Sequence, residues 1–388
     1  RRVSKVPWIR VFGLALLLGN PFMTEFFSLA MGYGLGIGLM SLAIWQSWRF
    51  FDTGLRPYFS RAAVWAGLAV YANFTLLIFY APFTALLVYA AWSQHRRWRG
   101  FWEVAHKGVK ITAVFLALMA TPLLRLSKDS EIIIWNRLPS FISTVEQLVQ
   151  SAVRNKPYLG AQTVHILAIA VIVGVVAGWV LTLIRWWQRR GSALSDPGIV
   201  SGLLLAGAVV TNFAQVWLTH TPFLQSRLSL FYYPLMALLL LWVAEWLRER
   251  FGVFAGIYMV PLAFFILMNN VRCLNFINTY EWWYDGGTVQ VLDYLSRLHE
   301  KEKPAEPFQL DVHWAAQNSF GVHIRLLDPR YESCVKLPPW HPNQPPRRDG
   351  AYEFYYAISP EEAKDILDVY DIVYRVPESS SLLLRKRH

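Results

Sequence analysis

From Pro7 to Cys273 the chain alternates long apolar runs with short polar or basic connections. Thr163–Trp187, Pro197–Leu218 and Leu228–Leu247 are each close to the ~20 residues a helix needs to cross a ~30 Å hydrocarbon core. Lipid cannot satisfy backbone hydrogen bonds, so such runs read as helices. The pattern predicts nine spans, over 8–19, 28–48, 62–75, 77–93, 108–125, 163–187, 198–219, 229–247 and 253–271. Asn20–Pro21 breaks the first run, and 62–93 leaves room only for a tight hairpin. In the long 126–162 connection, Phe141, Val145, Leu148 and Val149 share one helical face. That face predicts an amphipathic helix lying on the membrane surface.

Beyond residue 274 the periodicity changes. Thr288–His299 has a helical apolar stripe, and Pro360 to about Val369 reads as a second helix. Phe308–Trp314, Tyr331–Lys336, Tyr352–Ile358, Asp371–Val376 and Leu382–Arg385 read as strands. The expected architecture is a mainly α transmembrane bundle, 1–274, followed by an extramembrane α/β domain, 275–388.

Composition agrees with that division. Of the 388 residues 55% are hydrophobic and only 16% charged, against about 25% charged in a soluble protein. The net charge of +11 invites a nucleic-acid reading, but the cations cluster at alternate ends of the apolar runs. Arg1, Arg2 and Lys5 precede the first run, Arg49, Arg56 and Arg61 follow the second, and Arg96, Arg97, Arg99, Lys107 and Lys110 follow the fourth. Arg185, Arg189 and Arg190 follow the sixth, and Arg248 and Arg250 the eighth. The positive-inside rule places all of these in the cytoplasm and excludes nucleic acid as the partner they serve. Nine spans then put the C-terminal domain outside, which in a bacterial inner membrane is the periplasm. Cys273 and Cys334 lack a disulfide spacing signal and read as two thiols.

Gly32, Gly34, Gly36 and Gly38 have the small-xxx-small spacing of close helix packing rather than of a phosphate loop. Asn73-Phe74-Thr75 matches a glycosylation acceptor but falls inside a predicted span. His313 and His323 are ten apart, without ligand spacing, and read as surface histidines. The informative polar residues lie at the predicted outer face: Glu25, Arg125, Lys128, Arg137, His165, His220, Arg227, Tyr232 and Tyr233, with Glu281 and Asp285 opening the soluble domain. Cations are scarce on that side, so the set points to an anionic group, phosphate first. The competing reading is salt bridging to Asp129, Glu131 and Glu281, or to lipid headgroups.

Three stretches carry a family resemblance. Pro21–Trp45, PFMTEFFSLAMGYGLGIGLMSLAIW, resembles a segment of bacterial membrane glycosyltransferases of the C-type fold. Those are relatives of protein O-mannosyltransferases and of the lipid A aminoarabinose transferase, and often read NP-x-x-x-x-x-F-S-L-A-R-G-Y-G-L here. Pro222–Leu235, PFLQSRLSLFYYPL, resembles their short outer loop, and Asn278–Asp285, NTYEWWYD, their approach to the periplasmic domain.

The resemblance implies a polyprenyl-phosphate-linked sugar donor, a glycan, lipid or protein acceptor, a lipid-facing groove and transfer with inversion. A carboxylate would act as base, and basic groups or a divalent metal ion would stabilise the departing phosphate. By position Arg227 would contact that phosphate, with Tyr232 or Tyr233 nearby and Tyr33 lining the cavity. Lys128, Arg137 and His220 are further substrate-binding candidates. Met31 stands where relatives often have Arg. The family's catalytic Asp or Asp-Glu pair belongs to a first outer loop without counterpart here, which predicts a segment upstream of Arg1. Glu25 is the carboxylate closest to that place and is expected rather to cap or stabilise the turn. A transporter or flippase, and a non-catalytic anchor for the outer domain, are the rival classes.

Overall fold

The computed structural model describes residues 6–28, 32–95, 98–126, 140–153, 161–252, 254–274, 279–280, 282–339 and 351–387. The chain forms two units, Arg1–Leu274 and Asn275–His388.

The first unit is helical. Its helices are α1 Pro7–Leu18, α2 Pro21–Ser28, α3 Tyr33–Thr53, α4 Arg56–Ala72, α5 Leu77–His95, α6 Trp98–Leu126, α7 Phe141–Val153, α8 Ala161–Arg189, α9 Pro197–Thr219, α10 Tyr232–Phe251 and α11 Phe254–Cys273. A helix occupies each predicted span position. Among the described residues four helices are long and apolar enough to cross a membrane: α5 with its preceding turn, α8, α9 and α11. Counting the bent pair α1–α2 as one span makes five. The shortfall has local causes. At ~1.5 Å per residue, the twelve residues of α1 rise only about 18 Å. α4 has only 17 residues and carries Arg56 and Arg61, and α10 ends in Glu245, Arg248, Glu249 and Arg250.

Of the four glycines at the start of α3, Gly32, Gly34 and Gly36 pack closely as their spacing suggests, and Gly38 does not. A Cβ on Gly32 would lie 2.3 Å from the Ala72 carbonyl oxygen, and one on Gly34 2.8 Å from that of Phe26. Gly36 faces Leu76, while Gly38 meets nothing within 4 Å. Gly32 also has φ +76°, where a side chain is strained. Gly32→Ala is therefore expected to destabilise the protein by about 1–3 kcal/mol. Gly38→Ala should be neutral or slightly stabilising in the same detergent melts. Equal melting of the two variants would remove the close approach of α3 and α4 as the reason for Gly32.

Asn73 separates α4 from α5. Its Oδ1 accepts from the Thr75 N–H at 3.1 Å and the Thr75 hydroxyl at 3.0 Å, so the acceptor-like tripeptide is a turn cap.

In the second unit α12 Thr288–Glu302 precedes β1 Phe308–Val312, α13 Gln317–Val322, α14 Pro329–Cys334, β2 Val335–Lys336, β3 Phe354–Ala357, α15 Pro360–Lys364, β4 Tyr370–Arg375 and β5 Leu382–Lys386. The sheet order is β2-β1-β3-β5-β4. β1 is parallel to β2 and β3, and β5 antiparallel to β3 and β4. Alternation sorts the side chains between two faces. Phe354, Tyr356 and Leu383 pack with Val291, Leu292 and Leu295 of α12, while Tyr355, Ala357, Leu382 and Leu384 pack with Ala363 and Ile366.

The predicted strand Tyr331–Lys336 is mostly helix. Asp328 accepts from the Arg330 N–H at 3.0 Å and Pro329 opens the first turn, a start signal that outweighs the β-like apolar spacing. The predicted helix to Val369 stops at Lys364. Cys273 and Cys334 are buried thiols that form no disulfide, each within its own unit.

Candidate functional site

The candidate site gathers at the end of the first unit where α1 breaks. Asn20 is buried, and its Oδ1 accepts from the N–H groups of Phe22 at 2.9 Å and Met23 at 3.3 Å. Asn20, followed by Pro21 at the first helical position, starts α2 at 63° to α1. Glu25, expected to cap or stabilise the turn, sits half-buried inside α2. A carboxylate so far into the helix cannot reach the first free N–H groups, which a side chain just before Pro21 can.

Asn269 and Asn270 tie the end of α11 to the same place. Asn270 Nδ2 donates to the Leu18 carbonyl at 3.0 Å, and Asn269 Nδ2 to that of Ala152 at 3.1 Å.

The 220–231 connection is held by α7. The buried Thr144 hydroxyl donates to the Leu224 carbonyl at 2.9 Å, and Gln147 Oε1 accepts from the Ser226 N–H at 2.8 Å. Leu224, Leu230 and Phe231 anchor the connection in the apolar interior. His220 and Ser226 both take left-handed backbone, φ 53° and 48°. Such conformations cost non-glycine residues on the order of 1–2 kcal/mol each, so the surroundings must enforce them. Arg227 follows Ser226 in a short 3-10 turn, half-buried.

The apolar face of α7, predicted to rest on a membrane surface, is covered by protein. Thr144, Val145, Leu148 and Ser151 are buried, and the helix packs on α2, α8 and the Arg227 turn. The pattern of apolar residues identified the face, but an apolar face docks on protein as readily as on lipid. His165 at the start of α8 lies 3.1 Å from Glu146 of α7.

The two tyrosines differ. Tyr232 is 1% exposed, its hydroxyl donates to the Ala208 carbonyl at 3.2 Å, and its ring meets Phe141 edge-on at 5.4 Å. It is a packing residue and offers no ligand surface. Tyr233 is partly exposed and its hydroxyl faces Asn20. Tyr33 packs edge-on against Phe26 of α2 at 5.1 Å. α7 therefore supports both the helix carrying Glu25 and the turn carrying Arg227, with Tyr33 joined through α2. His220 is exposed at the far end of the same connection. Lys128 and Arg137 lie outside the described residues. Thr144 and Gln147 were missed because single polar residues in apolar helices carry no motif.

In the second unit, Asp285 is the perturbed group. Burial pushes its carboxyl from an ordinary 3.8 up to about 6, partly opposed by a hydrogen bond with Ser319. Its Oδ1 is buried without a hydrogen-bond partner. His313 is not a surface histidine: it is half-buried, its Nδ1 accepts from the Ala315 N–H at 3.2 Å, and burial holds its pKa down. Among the described residues no three His, Cys, Asp or Glu side chains converge to hold a metal ion. Neither a protein-family model, nor a curated protein, nor a solved structure matches the chain.

Proposed function

We propose that this chain is an integral-membrane glycosyltransferase that moves a sugar from a polyprenyl-phosphate-linked donor to an acceptor at the outer face of the membrane. The observation that carries the reading is the Arg227 turn: a cation held next to a strained residue, fixed by two hydrogen bonds from α7, at a broken-helix end of an apolar bundle. Rigid placement of a guanidinium suits a charge that grows only as a phosphate departs. In this reading the acceptor oxygen bonds to the anomeric carbon as the carbon–oxygen bond to phosphate breaks. A carboxylate takes the hydroxyl proton. Glu25 is the described candidate, because α2 rests on the same α7 as Arg227. The test is incubation of the purified full-length protein with radiolabelled polyprenyl-phosphate sugar and membrane extract. Label leaving the lipid and entering a new product is expected. Donor that stays intact with every extract and divalent ion tried would remove the proposal.

The proposed topology has all nine segments in the bacterial inner membrane, with the basic connections inside and 275–388 in the periplasm. It is supported by Arg49, Arg56, Arg61, Arg185 and Arg248 falling at one set of helix ends. Single cysteines in a cysteine-free background should label from outside at 126–162 and beyond 275, but not at 188–196. Outside labelling near Arg190 would reverse the orientation. The isolated 275–388 unit is expected to be soluble, since its core closes on both sheet faces, and to transfer no sugar. Transfer by the unit alone would move the chemistry out of the membrane.

One observation favours a transporter: the α1–α2 pair is a broken span, and substrate sites in transporters form at such breaks. Movement of labelled donor across sealed proteoliposomes without loss of its sugar would favour that reading.

A further inference from the structure

At the opposite ends of these helices is a separate cavity. It has a volume of about 160 Å³. The last turns of α8 and α10 and the start of α9 enclose it, with Arg185, Arg189, Asp196, Trp242, Trp246 and Glu249 in its walls. α8 and α9 are both apolar enough to cross a membrane, so their ends lie at headgroup depth. Trp187, 67% exposed beside the cavity, suits that depth.

The walls carry both signs of charge. Asp196 is 3% exposed; its Oδ1 accepts from the Gly198 N–H at 2.9 Å and caps α9. Its Oδ2 lies 3.5 Å from Arg185 and 3.3 Å from Arg189. Arg185 also reaches Glu249 at 3.1 Å and lies over the Trp242 ring at 5.2 Å. Arg248, just behind, forks onto Glu245. Among the described residues, three guanidiniums thus stand against three carboxylates. A purely anionic headgroup would unbalance the set, and so would a purely cationic one. Arg189 and Glu249, about half exposed, present one charge of each sign to solvent.

We infer that this cavity binds the headgroup of a zwitterionic phospholipid with a primary ammonium, its phosphate on Arg189 and its ammonium on Glu249. A primary ammonium donates hydrogen bonds that carboxylates accept, whereas a quaternary ammonium needs open aromatic faces. Here Arg185 already covers Trp242. The inference depends on the membrane setting alone and not on sugar transfer.

The test is native mass spectrometry of the delipidated full-length protein titrated with phosphatidylethanolamine, phosphatidylcholine and phosphatidylglycerol of identical acyl chains. The first phosphatidylethanolamine should bind about tenfold more tightly than either other lipid. Arg189→Gln and Glu249→Gln should each erase that preference while leaving lipid-free melting close to wild type, since both replaced side chains are about half exposed and Arg185 still faces Asp196. Equal binding of the three lipids by the wild type, or a preference for phosphatidylglycerol, overturns the assignment. So does a phosphatidylethanolamine preference that survives both substitutions. Loss of fold in either variant would make the charge network structural and overturn it too.

Discussion

Arg227→Ala should lower the rate of sugar release from a polyprenyl-phosphate donor by on the order of a hundredfold, or ~3 kcal/mol of transition-state stabilisation. The effect is expected in kcat more than in KM, because phosphate charge develops as the bond to the sugar breaks. Arg227→Lys should recover only part of the loss, since an ammonium cannot make the two parallel hydrogen bonds of a guanidinium. Gln147 acts through the turn rather than on substrate. Its Oε1 holds the Ser226 N–H at 2.8 Å, so Gln147→Leu frees a residue at φ 48° to relax. A smaller kcat loss with little change in KM is expected there. The control is Arg61→Ala, exposed on α4 among the basic helix ends. If Arg227→Ala matches Arg61→Ala and wild type, Arg227 leaves the site and attention passes to Lys128 and Arg137.

The bundle was legible because apolar run length is a strong signal. Helices α8, α9 and α11 follow the hydropathy closely, and Asn20–Pro21 marked the break before α2. The second unit was legible where a strand alternates, as in β1, or is a short apolar run, as in β5, and illegible at 328–336. There a local cap at Asp328 decides for helix and leaves only two residues of strand. The site was legible only as a list. Arg227 and Glu25 could be named, but not the helix that supports both of their elements, because docking of α7 on α2 and the Arg227 turn is a tertiary choice. Tyr232 shows the opposite limit. An aromatic residue beside a candidate cation looked like ligand surface, yet its ring fills the core against Phe141 and Phe231.

Asp285→Asn should stabilise the isolated 275–388 unit at pH 7.5 by on the order of 2 kcal/mol, which for a unit of this size raises Tm by roughly 8 °C. Asp285 lies in the 3-10 turn Trp283–Gly287 that leads into α12, yet no side chain caps that helix. Its Oδ1 is removed from water with no hydrogen-bond partner, and burial pushes the carboxyl to about 6. A folded-state pKa above the unfolded value means that the folded unit binds the proton more tightly. The resulting stabilisation is complete below the unfolded value of 3.8 and is lost as pH rises through about 6. The full shift would correspond to ~3 kcal/mol, reduced here because part of the side chain still meets solvent. An amide is neutral at every pH and removes the penalty. The melting temperatures of wild type and variant should therefore lie furthest apart above pH 7 and converge below about pH 4, with most of the change between about pH 4 and 6. A variant less stable than wild type at all pH values would show that the Ser319 contact, not burial of the charge, governs this carboxylate. A constant gain across the range would mean that Asp285 does not titrate there.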